Sequence, residues 1–278
     1  MDPGDVVVGV DGSESSWQAL RWAAAEIRRG DGRLRVVLAY RRHPASHPPR
    51  GDASDEFVEA QARGIVDRAV AEAAAGPASI AVTGTAVPGN PTVALLAASA
   101  RARVVVVGSR GRGGFTSLLL GSVGLQVATH ARCSVGVIRG RTDARTGPVV
   151  VGINSSATAG YGAGVAFEHA AARGCGLVAA HVYAKPTDDP EHALHPFDGL
   201  IAAVAAWRDK YPQVSVEYLV LHGHPGPALA GLSHRAQLVV VGARGIGGFT
   251  GLLLGSTSQH LIHHADCPVL IARSHGAD

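Results

Sequence analysis

The sequence predicts an α/β protein made of two tandem domains, each with a parallel sheet covered by helices. Three observations indicate this: the chain repeats itself, short apolar runs alternate with helical stretches, and a glycine-rich turn follows the same apolar run in both copies. Each half of the 278 residues is long enough to form its own core. We therefore expect two doubly wound domains, at residues 1–141 and 147–278.

Five strands can be placed in the first half, and the second half repeats them. Their predicted ranges are Val6 to Val10, Leu34 to Tyr40, Ile80 to Val87, Val104 to Val107 and Ser134 to Arg139. Apolar residues at helical spacing on the first two helices predict faces that pack on the sheet. These faces are Trp17, Leu20, Ala24 and Ile27 on the first helix, and Val58, Ala62, Ile65, Ala69 and Ala73 on the second.

The repeat is clearest in the glycine pattern that follows the fourth strand. It reads Gly108-x-x-Gly111, nine residues, Gly121-Ser122 in the first copy, and Gly242-x-x-Gly245, nine residues, Gly255-Ser256 in the second. Glycine lets backbone N–H groups approach an anion closely, and a helix N-terminus adds unpaired donors and a partial positive charge. Because both copies keep the spacing, we interpret each loop as a phosphate site rather than as a tight turn only.

The loop after the first strand, Asp11-Gly12-Ser13, leaves two interpretations open. The Asp11 carboxylate can accept a hydrogen bond from a ribose hydroxyl, or it can cap the helix that follows. Ligands of open α/β sheets bind beyond the carboxyl ends of the strands. The loop therefore lies where a ligand is expected, and spacing alone does not choose between the two roles.

Several classes of protein lack their motifs here. The only lysines are Lys185 and Lys210, so a P-loop has no candidate lysine, and no G-x-G-x-x-G follows the first strand as in a dinucleotide-binding domain. A serine hydrolase would need a G-x-S-x-G element, which does not occur. No metal site is expected, because His222-x-His224 and His263-His264 with Cys267 form no closed four-ligand pattern.

Composition and charge limit the partners and the cellular location that the sequence predicts. The chain is 46% hydrophobic and 17% charged, and its net charge of +3 comes from scattered basic residues, so no nucleic-acid partner is expected. No apolar run requires a bilayer and no secretory signal is visible, which predicts a cytoplasmic protein without membrane contact. Cys133 and Cys267 occupy equivalent positions and are expected to be reduced and buried.

These motifs together resemble the ATP-binding branch of the universal stress protein family. The resemblance rests on the Val-Gly-Val-Asp-Gly-Ser segment that ends at Ser13, on both glycine patterns and on the Gly-x-Pro turns at Gly89 and Gly223, and it covers nearly the whole chain. It implies a stress-response protein with the strand order 3-2-1-4-5 in each domain. It also implies that ATP lies between the ends of the first and fourth strands.

Carried over by position, the resemblance implies a set of nucleotide contacts in each domain. In the first domain they are ribose contact at Asp11, base contact near Ala39, and phosphate contact at Gly108, Arg110, Gly111, Gly121, Ser122 and Val123. In the second domain the matching positions are Asn154, Val182, Gly242, Gly245, Gly255, Ser256 and Thr257. Asn154 replaces the acidic residue and loses the charge-assisted part of its hydrogen bond, which predicts a weaker second site.

The expected ligand is ATP, alone or with Mg²⁺, held as a signal or a structural ligand. Turnover is expected to be slow or absent, because no paired carboxylates stand near either loop. Two alternatives stay open: a slow ATP hydrolase or phosphotransferase, and a scaffold dimer that holds no nucleotide. The apolar fifth strands would form sheet edges, and in the resembling family they pair across domains, so we expect a homo-oligomer such as a dimer.

Overall fold

The computed structural model describes residues 4–41, 55–111, 121–154, 159–183, 196–243 and 254–274. The chain divides into two compact units, Met1–Ile138 and Arg139–Asp278. Each unit is an α/β domain with a parallel sheet and flanking helices, so the predicted fold class is confirmed. Over these residues, no helix combines the length and the apolar character that crossing a membrane requires.

In the first unit, strands and helices alternate along the chain. The elements are β1 (Asp5–Gly9), α1 (Glu14–Arg29), β2 (Arg33–Tyr40), α2 (Asp55–Ala74), β3 (Ala81–Pro88), α3 (Pro91–Ser99), β4 (Ala102–Gly108), α4 (Ser122–His130) and β5 (Ser134–Ile138). The strands pair in parallel in the order β3-β2-β1-β4-β5. This order puts β1 beside β4, with chain connections departing in opposite directions from their ends.

The second unit repeats this arrangement. Its elements are β6 (Val149–Ile153), α5 (Ala159–Arg173), β7 (Leu177–Tyr183), α6 (Pro196–Lys210), β8 (Val216–His222), α7 (Pro225–Ser233), β9 (Leu238–Gly242), α8 (Ser256–His264) and β10 (Val269–Ala272). The strands pair in parallel in the order β8-β7-β6-β9-β10. β6 and β9 are therefore the counterparts of β1 and β4.

The core of the first unit lies on both faces of its sheet. Val6, Val7 and Val8 of β1 are fully buried although their side chains alternate between the faces, as is typical of parallel strands covered on both sides. Close packing of α3 on one face depends on Gly9, because a Cβ there would lie 2.9 Å from Leu95 Cδ1. Cys133 and Cys267 are buried and form no disulfide bond, as predicted.

The buried face of α2 differs in part from the predicted one. The three alanines of that face are buried, but Val58 and Ile65 are only half-buried and Val66 is buried instead. The cause is Gly84 of β3, where a Cβ would lie 2.4 Å from Val66 Cγ1, so the missing side chain makes room for Val66. Ile65 turns toward the loop after β1, where a Cβ on Gly12 would lie 3.3 Å from its Cδ1.

The segment that follows β5 is bound to the second unit. The Arg141 N–H donates to the Asp266 carbonyl at 2.8 Å. The Arg141 guanidinium donates to three carbonyls at the C-terminal end of α7, those of Ser233, His234 and Ala236. Further along, the Gly147 carbonyl accepts from Gln237 Nε2 at 2.7 Å. These bonds hold residues 139–148 against α7 and the start of β9.

Candidate functional site

The loop after β1 enters α1 directly and is tied to its own backbone. Gly12 has a φ of +82°, which glycine adopts without the strain that a side chain would cause. Ser13 is the N-cap of α1, since its hydroxyl accepts from the Ser16 N–H at 3.3 Å. Asp11 Oδ1 accepts from the Ser13 N–H at 2.9 Å. The interpretation of Asp11 as the helix cap is therefore wrong, because Ser13 has that role.

The hydroxyl of Ser16 braces the same loop from the inside. It accepts from the Asp11 N–H at 3.3 Å and donates to the Ser13 carbonyl at 2.8 Å, and the Ser16 residue is buried. A hydrogen bond of this kind contributes about 1 kcal/mol to stability. Sequence reasoning missed Ser16, although three serines within four positions at a helix start were an available signal.

Two further hydroxyls join this loop to the glycine turn after β4. Ser15 Oγ accepts from the Arg110 N–H at 3.2 Å, and Ser13 Oγ donates to the Arg110 carbonyl at 3.4 Å. The approach requires glycine at position 108, because a Cβ there would lie 2.6 Å from the Ser15 carbonyl oxygen. The loops after β1 and β4 therefore form one continuous surface, although they are far apart in the sequence.

Three of the predicted contact residues meet on this surface. A Cβ on Gly111 would lie 2.8 Å from Asp11 Oδ2, and a Cβ on Gly121 would lie 3.7 Å from the Gly111 nitrogen. The Asp11 carboxylate thus lies beside the backbone of Gly111, and Gly111 in turn lies near Gly121. This arrangement presents a strong acceptor for hydroxyl groups next to main chain that a ligand can approach closely.

The start of α4 completes the surface. The N-cap of α4 is Gly121, which has no side chain to cap the helix. Its N–H donates to the Ser109 carbonyl at 2.9 Å. The first intrahelical bond that closes on the cap runs from the Leu125 N–H to the Gly121 carbonyl at 3.1 Å. The N–H groups of Ser122 and Val123 therefore belong to the helix start, where donors lack intrahelical acceptors and the helix dipole is positive.

Two other predicted residues stand at the border of the surface. Ala39 is half-buried near the end of β2, in register with Val87 of β3. The end of β2 adjoins the Asp11 loop, since the Val10 N–H donates to the Val37 carbonyl at 3.0 Å. The exposed Arg110 follows Ser109 in the glycine turn. The structure thus gathers Asp11, Gly111 and Gly121 and holds Ala39 one strand away.

The second unit keeps the backbone of this surface. The Ala243 N–H donates to the Ala272 carbonyl at 3.2 Å, and the Gly255 N–H donates to the Ala243 carbonyl at 2.8 Å. Gly255 is the N-cap of α8, without a side-chain capping bond, and Ser256 and Thr257 are the first helical positions. Gly245 lies outside the described residues. The main-chain bonds at the helix start therefore match those of the first unit.

The side chains around the second surface differ. Asn154 follows β6 where Asp11 follows β1, and Val182 lies in β7 at the position of Ala39. Gly242 ends β9, and its carbonyl accepts from the buried Ser258 hydroxyl at 2.8 Å. In the first unit the position that matches Ser258 is Gly124, which has no hydroxyl. The second turn is thus held by a side chain that the first turn lacks.

Comparisons with known proteins cover both domains of the chain. The profile of the universal stress protein family matches residues 4–139 and 146–273. Two universal stress proteins of Mycobacterium tuberculosis are 36% and 35% identical to this chain over 96% of its length, and 94% and 96% of their own lengths are covered. Each alignment therefore spans both domains of this chain.

A solved structure that aligns with nearly the whole chain has the same fold. A universal stress protein from Archaeoglobus fulgidus aligns with a TM-score of 0.76 at 20% identity, over 99% of this chain and 98% of its own. A universal stress protein solved in complex with cAMP aligns with 49% of this chain, with a TM-score of 0.39 and 28% identity, and 97% of its own length is covered. With two family domains that together account for most of its length, the chain belongs to the universal stress protein family.

Proposed function

We propose that the first domain binds ATP as a regulatory ligand and that the second domain binds a nucleotide more weakly. The observation that supports this most directly is the approach of Gly111 to the Asp11 carboxylate beside the start of α4. A nucleotide needs an acceptor for its ribose hydroxyls and donors for its phosphates, and both are adjacent here. The adenine base would lie near Ala39, one strand away.

The phosphate groups are assigned to backbone rather than to lysine. The N–H groups of Gly111, Ser122 and Val123 are the proposed donors, with Gly108 and Gly121 keeping the turn free of side chains. The positive end of the α4 dipole favours an anion at this place. Arg110 is exposed and can add a positive charge from solvent.

The second site is proposed to be weaker because its ribose acceptor is an amide. A hydrogen bond to a charged acceptor contributes about 1.5–3 kcal/mol, against about 0.5–1.5 kcal/mol for a neutral one. The proposed phosphate contacts there are Gly242, Gly245, Gly255, Ser256 and Thr257, with Val182 near the base. The expected difference in affinity between the sites is about tenfold.

The proposed role is regulatory because the glycine turn of the first domain offers no obvious catalytic residues for ATP hydrolysis. Phosphoryl transfer needs a positioned water and stabilisation of charge on the transferred group. The first domain contains no lysine, and Arg110 is an exposed residue of a glycine turn. Bound ATP is therefore expected to persist for many minutes rather than to turn over.

The test uses the full chain and a matched pair of variants. Nucleotide released from the purified protein is identified by chromatography, and ATP affinity is measured by calorimetry with and without Mg²⁺. Gly111→Ala adds a Cβ close to Asp11 Oδ2, so the stronger site should lose at least about tenfold in affinity, near 1.4 kcal/mol. Gly245→Ala, the matched change in the second domain, should leave that stronger site unchanged.

Other outcomes separate the alternatives. Phosphate release above background that disappears in Gly111→Ala would support a slow hydrolase or phosphotransferase. No nucleotide in the purified protein and no change in its melting temperature with ATP would support a scaffold. cAMP shares the adenine and ribose of ATP but lacks its polyphosphate, so stronger binding of cAMP than of ATP would contradict the assigned phosphate contacts.

We also propose that the chain self-associates as a homo-oligomer in the cytoplasm. The support is the apolar sequence of β5 and β10, because apolar strands at a sheet edge are normally covered by a partner. Light scattering at micromolar concentration should give a mass above that of one chain, 28.4 kDa. A mass of one chain would contradict this.

A further inference from the structure

Histidines are concentrated in the second half of the chain, and three of them share α8. Eleven of the fourteen histidines follow residue 139. On α8, His260 and His264 are one helical turn apart and their ring centroids are 4.4 Å apart, whereas the ring of His263 is 6.3 Å from that of His264. The matching position to His260 on α4 is Gln126, so the pair belongs to the second domain only.

The position of His260 is fixed by the neighbouring helix. A Cβ on Gly226, in the first turn of α7, would lie 2.7 Å from the Cβ and 2.8 Å from the Cγ of His260. The missing side chain at Gly226 therefore lets the imidazole rest against α7. His260 is half-buried and His264 is exposed, so one side of the pair is ordered by packing and the other is open to water.

The electrostatic surroundings favour neutral imidazoles. Burial, and then the charge of His264, lower the pKa of His260. Burial lowers the pKa of His263 as well, followed by the charges of His264, Arg139 and His260. A metal ion binds imidazole only in its neutral form, with a free lone pair on nitrogen. For His260 the first cause is burial, in agreement with the packing of its ring against Gly226 of α7.

We propose that His260 and His264 chelate one divalent transition-metal ion of the class that prefers imidazole, with Cu²⁺ bound more tightly than Ni²⁺ or Zn²⁺. Residues four apart on a helix face the same side, so two imidazole nitrogens can reach one ion. The preference for Cu²⁺ follows the general order of stability of divalent metal complexes. Water fills the remaining coordination positions, since the described residues contain no group of three or more metal-ligating side chains.

The cysteine near this pair takes no part. Cys267 is fully buried, and burial raises the pKa of its thiol to about 12, so its sulfur is closed to an ion that reaches the exposed His264 from water. The set His263, His264 and Cys267, which forms no closed ligand pattern in the sequence, is therefore not the chelating set either. The relevant spacing is the separation of four between His260 and His264.

The experiment titrates metal-free full-length protein with CuCl₂ and then ZnCl₂. Electron paramagnetic resonance should show Cu²⁺ with nitrogen ligands, and the melting temperature should rise because the ion binds only the folded pair. His260→Ala and His264→Ala should each weaken the tightest Cu²⁺ binding by more than about tenfold. A change next to a metal ligand already costs at least about tenfold in affinity, and loss of a ligand itself should cost more. Circular dichroism establishes that both variants are folded.

Matched controls decide the outcome. His263→Ala, on the same helix, and His130→Ala, at the position of His264 on α4, should leave the tightest Cu²⁺ binding unchanged. The proposal is overturned if His264→Ala binds Cu²⁺ as tightly as the unchanged protein, or if His130→Ala causes the same loss.

Discussion

The two domains share their main-chain bonds and differ in the side chains around them. The N–H of Gly89 donates to the Tyr40 carbonyl at 2.8 Å in the first domain, and the N–H of Gly223 donates to the Tyr183 carbonyl at 2.9 Å in the second. The bonds that close each glycine turn are repeated in the same way. Because these bonds use backbone atoms and glycines, the surrounding side chains can vary while the turn keeps its shape.

Tryptophan shows how far the variation goes. In the first domain Trp17 is on α1, with the Arg68 guanidinium of α2 4.8 Å above its ring. The second domain has Gly160 at the position of Trp17, and Trp207 of α6 donates its Nε1–H to the Gly160 carbonyl at 2.8 Å. A tryptophan thus joins the first two helices of each domain, but it comes from the first of them in one domain and from the second in the other.

The differences are larger in the loops that follow β1 and β6. The first domain has Asp11, braced by the Ser16 hydroxyl, whereas the second has Asn154 and Ala159 at these positions. The second domain instead has the Ser258 hydroxyl bound to the turn. A shared backbone therefore does not imply equal sites, and each domain must be tested separately.

The largest difference is expected where the two halves begin. Gly147 has a φ of +102°, and a Cβ there would lie 2.0 Å from the Arg235 carbonyl oxygen. At Gly4, the matching position of the first domain, an added Cβ would lie 3.1 Å from the Cβ of Arg103, and φ is not positive. Gly147→Ala should lower the free energy of unfolding of the second domain by roughly 3 kcal/mol, from strain and overlap together.

Denaturant unfolding followed by hydrogen exchange resolves the two domains. Gly4→Ala is the control and should cost the first domain less than about 1 kcal/mol. Equal losses from the two changes would mean that the beginnings of the two domains are equally tolerant.

An exchange of Asp11 and Asn154 tests the proposed ribose contacts. Asp11→Asn should weaken ATP binding in the first domain by about tenfold, because a charged acceptor becomes neutral. Asn154→Asp should strengthen binding in the second domain by a similar factor. Calorimetry on each variant measures both, and an unchanged affinity in Asp11→Asn would contradict the assignment of the carboxylate to ribose.

Removal of the Ser16 hydroxyl should have a smaller effect. Ser16→Ala deprives the Asp11 N–H of an acceptor and the Ser13 carbonyl of a donor, at a cost of about 1 kcal/mol in stability. The looser Asp11 loop should lower ATP affinity in the first domain about threefold to fivefold. Since Ala159 already lacks this hydroxyl, binding in the second domain should stay constant, and a loss there would mean that the change acts indirectly.

The smallest expected difference concerns pH. Folding lowers the pKa of His260 and His263 below their ordinary value of 6.5, so the unfolded chain binds more protons just below that pH. The stability of the second domain should therefore fall as the pH drops from about 6.5 through the lowered values. Melting curves between pH 7.5 and about 5 measure this, and His260→Ala with His263→Ala should flatten the dependence.

The sequence predicted most of the strands because apolar runs and glycine turns are local features. Val104 to Val107, for example, was predicted as a strand that extends in the structure over Ala102–Gly108. The face of α2 could not be predicted in full, since the burial of Val66 depends on the missing side chain of Gly84 in β3. Helical periodicity carries no information about such a partner.

The candidate site was predictable to a similar degree. The meeting of Asp11 with Gly111 follows from the strand order that the resemblance implied. The role of Ser15 could not be predicted, because its bond to the Arg110 N–H joins residues 95 positions apart and requires glycine at position 108. The pair His260 and His264 was not predicted either, since it has no counterpart in the first domain and the packing of His260 depends on the missing side chain of Gly226 in α7.

The bonds of Arg141 determine where the molecule can be dissected. A fragment that begins at Arg139 keeps the Arg141 guanidinium bound to the carbonyls at the end of α7. The negative end of the helix dipole favours a cation there. A cut before Val149 removes that cation together with the carbonyl that holds Gln237. Fragments of the second half that begin at residue 139 should therefore resist proteolysis longer than fragments that begin ten residues later.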